Sequence, residues 1–369
     1  MTTSTTTPDD IDADFTERLQ AFVVTRLVES LGDRNPVYSD PEAAAASVHG
    51  RVVAPVTALM SWTVAAKPRG RHGVDSAGRR VFRLEGAAAG SASGQTEAEA
   101  AAAKKDEPWG AAVDMREFLK AEGYVAPAVT NGWFEYVRYL VPGERLSVAP
   151  VRIDKIAGPK RTGLGLGYFI TTSQRVLDVD GEVVAVIRQT MLRAKPYPKE
   201  PSATSETKKQ PAATEIEGAS TDDWAFHADP WNPNLTTVAV GDNLPELIVD
   251  LTPSQVIAGA IASQDWAPVH HDVGFATSVG HPNVFLNIQI STGLVGRFIT
   301  DWAGPDALIE TLDIRLGVPS YAGDLMTITG EVTSVESQGE RDRLTVAVKA
   351  TNSIGVHISS TVTVTVPSI

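Results

Sequence analysis

The sequence predicts an α+β fold made of two similar halves, in each of which an antiparallel sheet wraps around a helix. The first observation is an internal repeat: the motif DRNPVYSD at residues 33–40 returns as DWAPVHHD at residues 265–272. The second is that a stretch with helical apolar spacing precedes each copy, and strand-like runs joined by Gly-containing turns end each half. Two similar halves on one chain are expected to pack together as a pseudo-dimer.

The elements follow the same order in both halves. Helical spacing is given in the first half by Phe22, Val23, Leu27 and Leu31, and in the second by Val256, Ile257, Ile261 and Trp266. Residues 287–302 of the second half predict a longer apolar helix, in which small residues admit close packing. Strands are predicted at 133–140, 145–156, 165–177 and 183–193, and again at 311–316, 325–336, 343–352 and 356–366.

Two segments lack the apolar residues that a packed core needs. Residues 86–107 are small and polar, and because they interrupt an apolar pattern we interpret them as a mobile loop within the first domain. The region that begins at residue 196 is rich in Pro, Ser, Thr and charge. The sequence therefore predicts an N-terminal domain at 12–195, a linker at 196–219 and a C-terminal domain at 220–369.

Composition excludes several classes of function. The chain of 369 residues has 32 Lys and Arg against 45 Asp and Glu, a formal charge of −13, which disfavours nucleic acid or an anionic membrane as a partner. It has no cysteine, so disulfides, thiolate metal sites and cysteine nucleophiles are excluded. The sequence shows neither a membrane-spanning run nor a signal pattern, and a cytoplasmic protein is expected.

The second half resembles a known family. Its Asp-x-x-Pro-x-His motif, followed by a small-residue-rich apolar helix and strands, is similar to the MaoC-like (R)-specific enoyl-CoA hydratases, which have the hot-dog fold. The stretch 263–305 is most similar to the branch that degrades steroid side chains, and 160–165 and 181–185 resemble that branch's degenerate partner subunit. The resemblance covers about 12–195 and 220–368, and it implies a double hot-dog in which the two subunits are fused.

The resemblance implies that Asp265 and His270 are the catalytic residues of an enoyl-CoA hydratase, a lyase that adds water to a bulky enoyl-CoA, giving a 3-hydroxyacyl-CoA. An imidazole suits base catalysis near neutral pH, and a neighbouring carboxylate can orient the attacking water. Ala267 departs from the family motif, which has Asn there. We expect His271 to point elsewhere and Asp272 to cap the next helical turn.

The first half has Asp33 and Tyr38 where the second has Asp265 and His270. A phenol is too weak a base at neutral pH to replace an imidazole. We therefore expect one active site and a retired one, and the family implies that the retired half shapes the space for the acyl group.

Three further sites are expected around the substrate. The backbone N–H of Asn287, at the amino end of the predicted helix, would hold the thioester oxyanion. Lys160 and Arg161 would bind the phosphates of coenzyme A, although a solvated basic turn explains them equally well. Arg297 could do the same or pair with Asp301 at the i, i+4 spacing. No metal or other cofactor is required, since coenzyme A is part of the substrate.

Several alternatives stay open at this point. The chain could act on linear fatty acyl or polyketide thioesters, act as a thioesterase, or be a non-catalytic acyl-CoA-binding subunit. The expected partners, besides the acyl-CoA, are a second copy in a homodimer of double hot-dogs and an aldolase or another β-oxidation enzyme.

Overall fold

The computed structural model describes residues 17–18, 21–63, 69–74, 80–85, 115–197, 233 and 235–368. The predicted loop 86–107 lies outside these residues, as does the predicted linker 196–219 except for its first two positions. The domain boundary therefore stays a prediction.

The secondary structure is mixed, and in each half the longest run of strands follows the helices. The helices are α1 (Ala21–Leu31), α2 (Pro41–Ala46), α3 (Met60–Thr63), α4 (Met115–Ala121), α5 (Pro253–Ala262), α6 (Val273–Ser278) and α7 (Ile288–Ala303), with 3-10 turns at Pro36–Tyr38, Val56–Ala58 and Pro268–His270. The strands are β1 (Glu17–Arg18), β2 (Arg69–Val74), β3 (Arg80–Glu85), β4 (Ala126–Tyr136), β5 (Arg145–Val148), β6 (Arg152–Thr162), β7 (Gly165–Leu177), β8 (Val183–Lys195), β9 (Asn243–Leu251), β10 (Leu308–Leu316), β11 (Asp324–Ser337), β12 (Arg341–Asn352) and β13 (Gly355–Pro367).

The two halves share one antiparallel sheet. Its strand order is β1-β5-β7-β8-β4-β10-β13-β12-β11-β9, with β6 paired to β7, while β2 and β3 form a separate hairpin. The halves join where β4 pairs with β10, in a register that runs from Glu135 opposite Thr311 to Asn131 opposite Arg315. This edge-to-edge junction makes the sheet continuous and confirms that the halves associate as a pseudo-dimer.

The core centres on α7, which is buried along nearly its whole length. The first half reaches this helix through two glycines: a Cβ on Gly293 would lie 2.8 Å from the Leu31 side chain, and one on Gly296 would overlap the Thr57 hydroxyl. Because interiors are packed to crystal-like density, these glycines allow the first half to approach α7 closely. The predicted helix at 287–302 is thus confirmed to within one residue.

The strand predictions were right in order and incomplete in detail. The predicted strand at 145–156 is divided into β5 and β6, and the segment between them contains Pro150. Strand β9 was not predicted, because Pro245 interrupts its pattern. The structure tolerates this proline because β9 is an edge strand and the register slips between Leu244 and Leu247.

Candidate active site

Both copies of the repeated motif begin at the same kind of helix end. After α5 the chain turns at Gln264, whose φ of 56° is left-handed, and the Asp265 N–H donates to the Ala260 carbonyl at 2.9 Å. After α1 the turn is made by Gly32, with φ of 61°, and the Asp33 N–H donates in the same way to the Val28 carbonyl. Within the described residues Gln264 alone has a positive φ without being glycine. Such strain is typical of functional sites, and here it directs the next side chain, Asp265.

Asp265 and His270 face each other as an acid–base pair. One carboxylate oxygen of Asp265 accepts from the Ala267 N–H at 3.2 Å, and the other lies 3.7 Å from His270 Nε2. On the far side of the ring, His270 Nδ1 lies 2.8 Å from the Phe285 carbonyl oxygen. A carbonyl oxygen can only accept, so Nδ1 carries a proton, and in the neutral ring Nε2 is then the nitrogen whose lone pair faces Asp265.

The separation of the two side chains suits one water molecule that bridges them. The 3.7 Å gap exceeds a hydrogen bond, and it is short enough for one bridging water to lie about 2.8 Å from both atoms. The side chains are 18% exposed for Asp265 and 12% for His270, so the site is mostly shielded from solvent and still open to a ligand. A lone-pair nitrogen and a carboxylate that hold one water are the groups that general-base activation requires.

The residues next to the pair behave as expected. Asp272 caps α6 by accepting from the Phe275 N–H at 2.9 Å. His271 points away, with Nε2 3.3 Å from the Trp266 carbonyl oxygen. In the first half the Asn35 side chain accepts from the Val37 N–H, whereas Ala267 makes no such cap bond. The departure from the family motif therefore removes this one bond and leaves Asp265 and His270 in place.

Asn287 is the N-cap of α7, and both the oxygen and the nitrogen of its side chain are hydrogen-bonded. Its oxygen accepts from the Ile290 N–H at 2.9 Å, and its amide donates to the Ser263 hydroxyl at 2.8 Å. This second bond ties the start of α7 to the end of α5, just before Asp265. Among the described residues nothing accepts a hydrogen bond from the Asn287 backbone N–H. A buried, free N–H at a helix start is suited to an oxyanion.

The first-half counterpart of the site is closed. Asp33 and Tyr38 are buried, and burial raises the pKa of Asp33 to about 7 and that of Tyr38 well above its usual range. Helix α7 covers them: the Thr300 hydroxyl bonds Tyr38, and Arg297 donates to the Leu31 carbonyl at 2.7 Å. Arg297 also pairs with Asp301 at 3.1 Å, the alternative that the spacing left open. With its polar groups covered by α7, the first half has the geometry of a retired site.

Lys160 and Arg161 lie apart from the pair. They are exposed on β6, opposite Gly167 and Leu166 of β7, and no hydrogen bond or ion pair within the described residues joins either side chain to the second half. Their role in binding coenzyme A stays a prediction.

The structure adds two residues that sequence reasoning missed. His281 Nδ1 lies 3.0 Å from the Tyr321 hydroxyl, and both rings pack against Phe285, behind His270. Burial lowers the pKa of His281, and the positive charge that His270 can carry lowers it further. The repeat carries a signal for His281, which follows Asp265 by 16 residues as His49 follows Asp33. Tyr321 lies in a turn far away in sequence, and only the fold brings it to His281.

Comparisons with known proteins agree with this architecture. Residues 11–86 match the family model described as the FAS1-like dehydratase domain region. The chain is 45% identical over 123 residues to the beta subunit of the 3-oxo-4,17-pregnadiene-20-carboxyl-CoA hydratase of Mycobacterium tuberculosis, a match that covers 33% of the chain and 92% of that subunit. It is 31% identical over 174 residues to the alpha subunit of that hydratase, covering 47% of the chain and 44% of the subunit. The chain thus matches less than half the length of this alpha subunit.

Solved structures show the same fold. A MaoC-like dehydratase aligns over 96% of both chains with a TM-score of 0.62 and 20% identity. A Mycobacterium tuberculosis protein described as a double hotdog aligns over 95% of this chain and 94% of its own, with a TM-score of 0.54 and 13% identity. These alignments confirm the predicted double hot-dog. Within the described ranges, the helices are too short or too polar to cross a lipid bilayer.

Proposed function

The chain belongs to the MaoC-like enoyl-CoA hydratase family, and we propose from this premise that it hydrates a bulky enoyl-CoA derived from a steroid side chain. The product is a 3-hydroxyacyl-CoA. The observation that carries the proposal is the acid–base pair, in which His270 Nε2 faces the Asp265 carboxylate across a gap of 3.7 Å while Nδ1 is held by the Phe285 carbonyl.

The reaction proceeds from a water molecule held between Asp265 and His270. Nε2 of His270 takes a proton from this water, and the hydroxide oxygen forms a bond to the β-carbon of the enoyl thioester. The electron pair of the double bond moves toward the thioester oxygen, which becomes enolate-like. The imidazolium then returns the proton to the α-carbon, so that one water is added and His270 is regenerated.

The developing negative charge needs a donor that is already in place. The backbone N–H of Asn287 supplies it, supported by the positive end of the α7 dipole. The Asn287 side chain is hydrogen-bonded to the Ser263 hydroxyl and the Ile290 N–H, so it cannot rotate into the space proposed for the thioester oxygen. These groups suffice for the chemistry, and the proposal includes no metal or redox cofactor.

One active site serves the whole chain. In the retired half, α7 covers Asp33 and Tyr38. We propose that this half forms part of the space that holds the acyl group. The steroid substrate is proposed because both relatives named above are subunits of a hydratase whose name specifies a pregnadiene carboxyl-CoA. On this basis the chain combines the counterparts of two subunits, with Lys160 and Arg161 proposed to meet the coenzyme A phosphates. We also propose that the chain forms a homodimer, or a complex with an aldolase or another β-oxidation enzyme.

The test is loss of the conjugated enoyl-thioester absorbance with a steroid side-chain enoyl-CoA and with crotonyl-CoA. His270→Ala and Asp265→Asn should lower kcat at least 100-fold, the scale of general-base catalysis at about 10²–10⁴. Tyr38→Phe, the matched change in the retired half, should leave kcat within about twofold of wild type. Preference for crotonyl-CoA would contradict the steroid assignment. If neither thioester is hydrated, the proposal that the chain is a hydratase would be wrong.

A further inference from the structure

Phe285 controls the orientation of His270 in two ways. Its carbonyl oxygen accepts the His270 Nδ1 proton at 2.8 Å, and its ring meets the imidazole edge to face, with ring centroids 4.9 Å apart. The carbonyl fixes which nitrogen is protonated, and the ring limits rotation of the imidazole. Movement of Phe285 would therefore alter both the tautomer and the direction of Nε2.

Phe285 is in turn held by the turn that contains Tyr321. The two residues form an isolated β-bridge, in which the Leu286 N–H donates to the Ser320 carbonyl at 3.0 Å and the Ala322 N–H to the Val284 carbonyl at 2.9 Å. The bridge fixes the backbone of Phe285 on one side and leaves its ring to be held by neighbouring side chains.

His281 and Tyr321 supply those side chains. Their hydrogen bond of 3.0 Å joins the two turns, and their ring centroids lie 4.6 Å and 5.9 Å from that of Phe285. Burial keeps the pKa of His281 below its usual value. The neighbour of the base is thus neutral at neutral pH and adds no positive charge beside it.

The first half shows that the bridge itself does not require this arrangement. There a bridge joins Ala54 to Leu140, and the Ala54 N–H donates to the Leu140 carbonyl at 2.8 Å, as the Leu286 N–H does to the Ser320 carbonyl; by its distance from the motif aspartate, Val53 stands in the place of Phe285. Both of these bridge residues are aliphatic. The retired half also has a His–Tyr pair, since the rings of His49 and Tyr139 lie 4.4 Å apart, but the Tyr139 hydroxyl bonds the Ala307 carbonyl and the Ile309 N–H instead of the histidine. Among the described residues, the direct His–Tyr hydrogen bond with a phenylalanine ring packed against both partners is found on the half that has His270.

We propose that the His281–Tyr321 hydrogen bond positions Phe285, and through Phe285 holds the His270 ring in its Nδ1–H tautomer with Nε2 directed at Asp265. The proposal rests on the function proposed above, in which His270 is the base. His281 and Tyr321 are positioning residues, since neither is required to touch the substrate.

The test measures the tautomer of His270 directly, by long-range 1H–15N correlation spectra of the full chain labelled at histidine, with the His270 signal assigned by its loss in His270→Ala. Wild type should show the Nδ1–H tautomer. Tyr321→Phe, which keeps the ring and loses the hydroxyl, should populate the Nε2–H tautomer and lower kcat about tenfold with KM within twofold. An energy change of about 1.4 kcal/mol corresponds to that factor.

Two further variants separate positioning from general damage. His281→Asn keeps an acceptor near the place of Nδ1 and should stay near wild type, whereas His281→Phe should match Tyr321→Phe. Tyr124→Phe, at a buried tyrosine in a separate cluster, should change neither the tautomer nor kcat. A wild-type His270 spectrum and unchanged kcat in Tyr321→Phe and His281→Phe would overturn the proposal.

The spectra also keep the two proposals apart. If wild type hydrates neither thioester while Tyr321→Phe still shifts the His270 tautomer, the proposed function is wrong and the positioning contact stands.

Discussion

Removal of the buried charge at Asp33 should make the protein more stable, and increasingly so as the pH rises. Asp33 is 7% exposed, and burial raises the pKa of its carboxyl from 3.8 to about 7, an effect that Asp301 increases and Arg297 opposes. Its carboxylate accepts from the Asn35 N–H at 3.0 Å. In Asp33→Asn the amide oxygen can accept the same hydrogen bond, so the substitution removes the ionisation and retains this contact.

The sign follows from the protons bound in each state. At and below about pH 3 the carboxyl is protonated in both the folded and the unfolded state, so its burial does not lower the free energy of unfolding through ionisation. Between pH 3.8 and about 7 it ionises in the unfolded chain and stays protonated in the folded one, so the free energy of unfolding falls as pH rises. A pKa difference of about 3, at about 1.4 kcal/mol per pKa unit, gives a full penalty of about 4 kcal/mol above pH 7. Of this, about 2–3 kcal/mol develops between pH 5 and pH 8.

The assay is urea unfolding of wild type and Asp33→Asn at 25 °C across this range of pH. The stability gained by the variant should be larger at pH 8 than at pH 5 by about 2–3 kcal/mol. Asp40→Asn is the matched control, because Asp40 is an exposed N-cap and asparagine caps equally well. A gain that is the same at pH 5 and pH 8 would refute the reasoning. Hydration by Asp33→Asn should equal that of wild type, since the retired half performs no chemistry.

Two further predictions concern packing and buried hydrogen bonds. Gly296→Ala places a methyl group against Thr57 and should lower the free energy of unfolding by about 1–3 kcal/mol. Gly163→Ala is the control, since a Cβ there meets nothing, and it should change the free energy of unfolding by less than about 0.5 kcal/mol. Equal melting temperatures for the two variants would contradict the contact. Ser291→Ala leaves the buried Nε2 of His357 without its 3.0 Å partner and should cost about 1–3 kcal/mol in urea unfolding. A wild-type midpoint for Ser291→Ala would show that this nitrogen needs no partner.

Much of the fold could be predicted because its signals are local and repeated. The repeated motif identified two halves, and the small-residue-rich apolar pattern located α7. Strand β9 was missed because its proline breaks the alternation and is tolerated only at a sheet edge, a condition that a sequence pattern does not display. The division of 145–156 into β5 and β6 had a local signal that was missed, since Pro150 lies between the two strands.

For the candidate site, too, local features could be predicted from the sequence and long-range contacts could not. The sequence predicted Asp265 and His270 as the pair through the family resemblance, whereas residue type and spacing within one turn predicted Asp272 as a cap and Tyr38 as the mark of the retired half. The sequence also offered the pairing of Arg297 with Asp301, one helical turn apart, as one of two alternatives, and the structure shows it.

The tertiary structure alone decided where these side chains point and what they contact. The tautomer of His270 depends on the Phe285 carbonyl, the retired site is closed by Thr300 and Arg297, and Asn287 is tied to Ser263. Each of these contacts joins elements that are distant in sequence, and it forms only when the shared sheet and α7 bring them to hydrogen-bonding distance. Local geometry is set by a turn or a cap within the chain itself, whereas the direction of a side chain toward a distant partner depends on the packing of the whole fold.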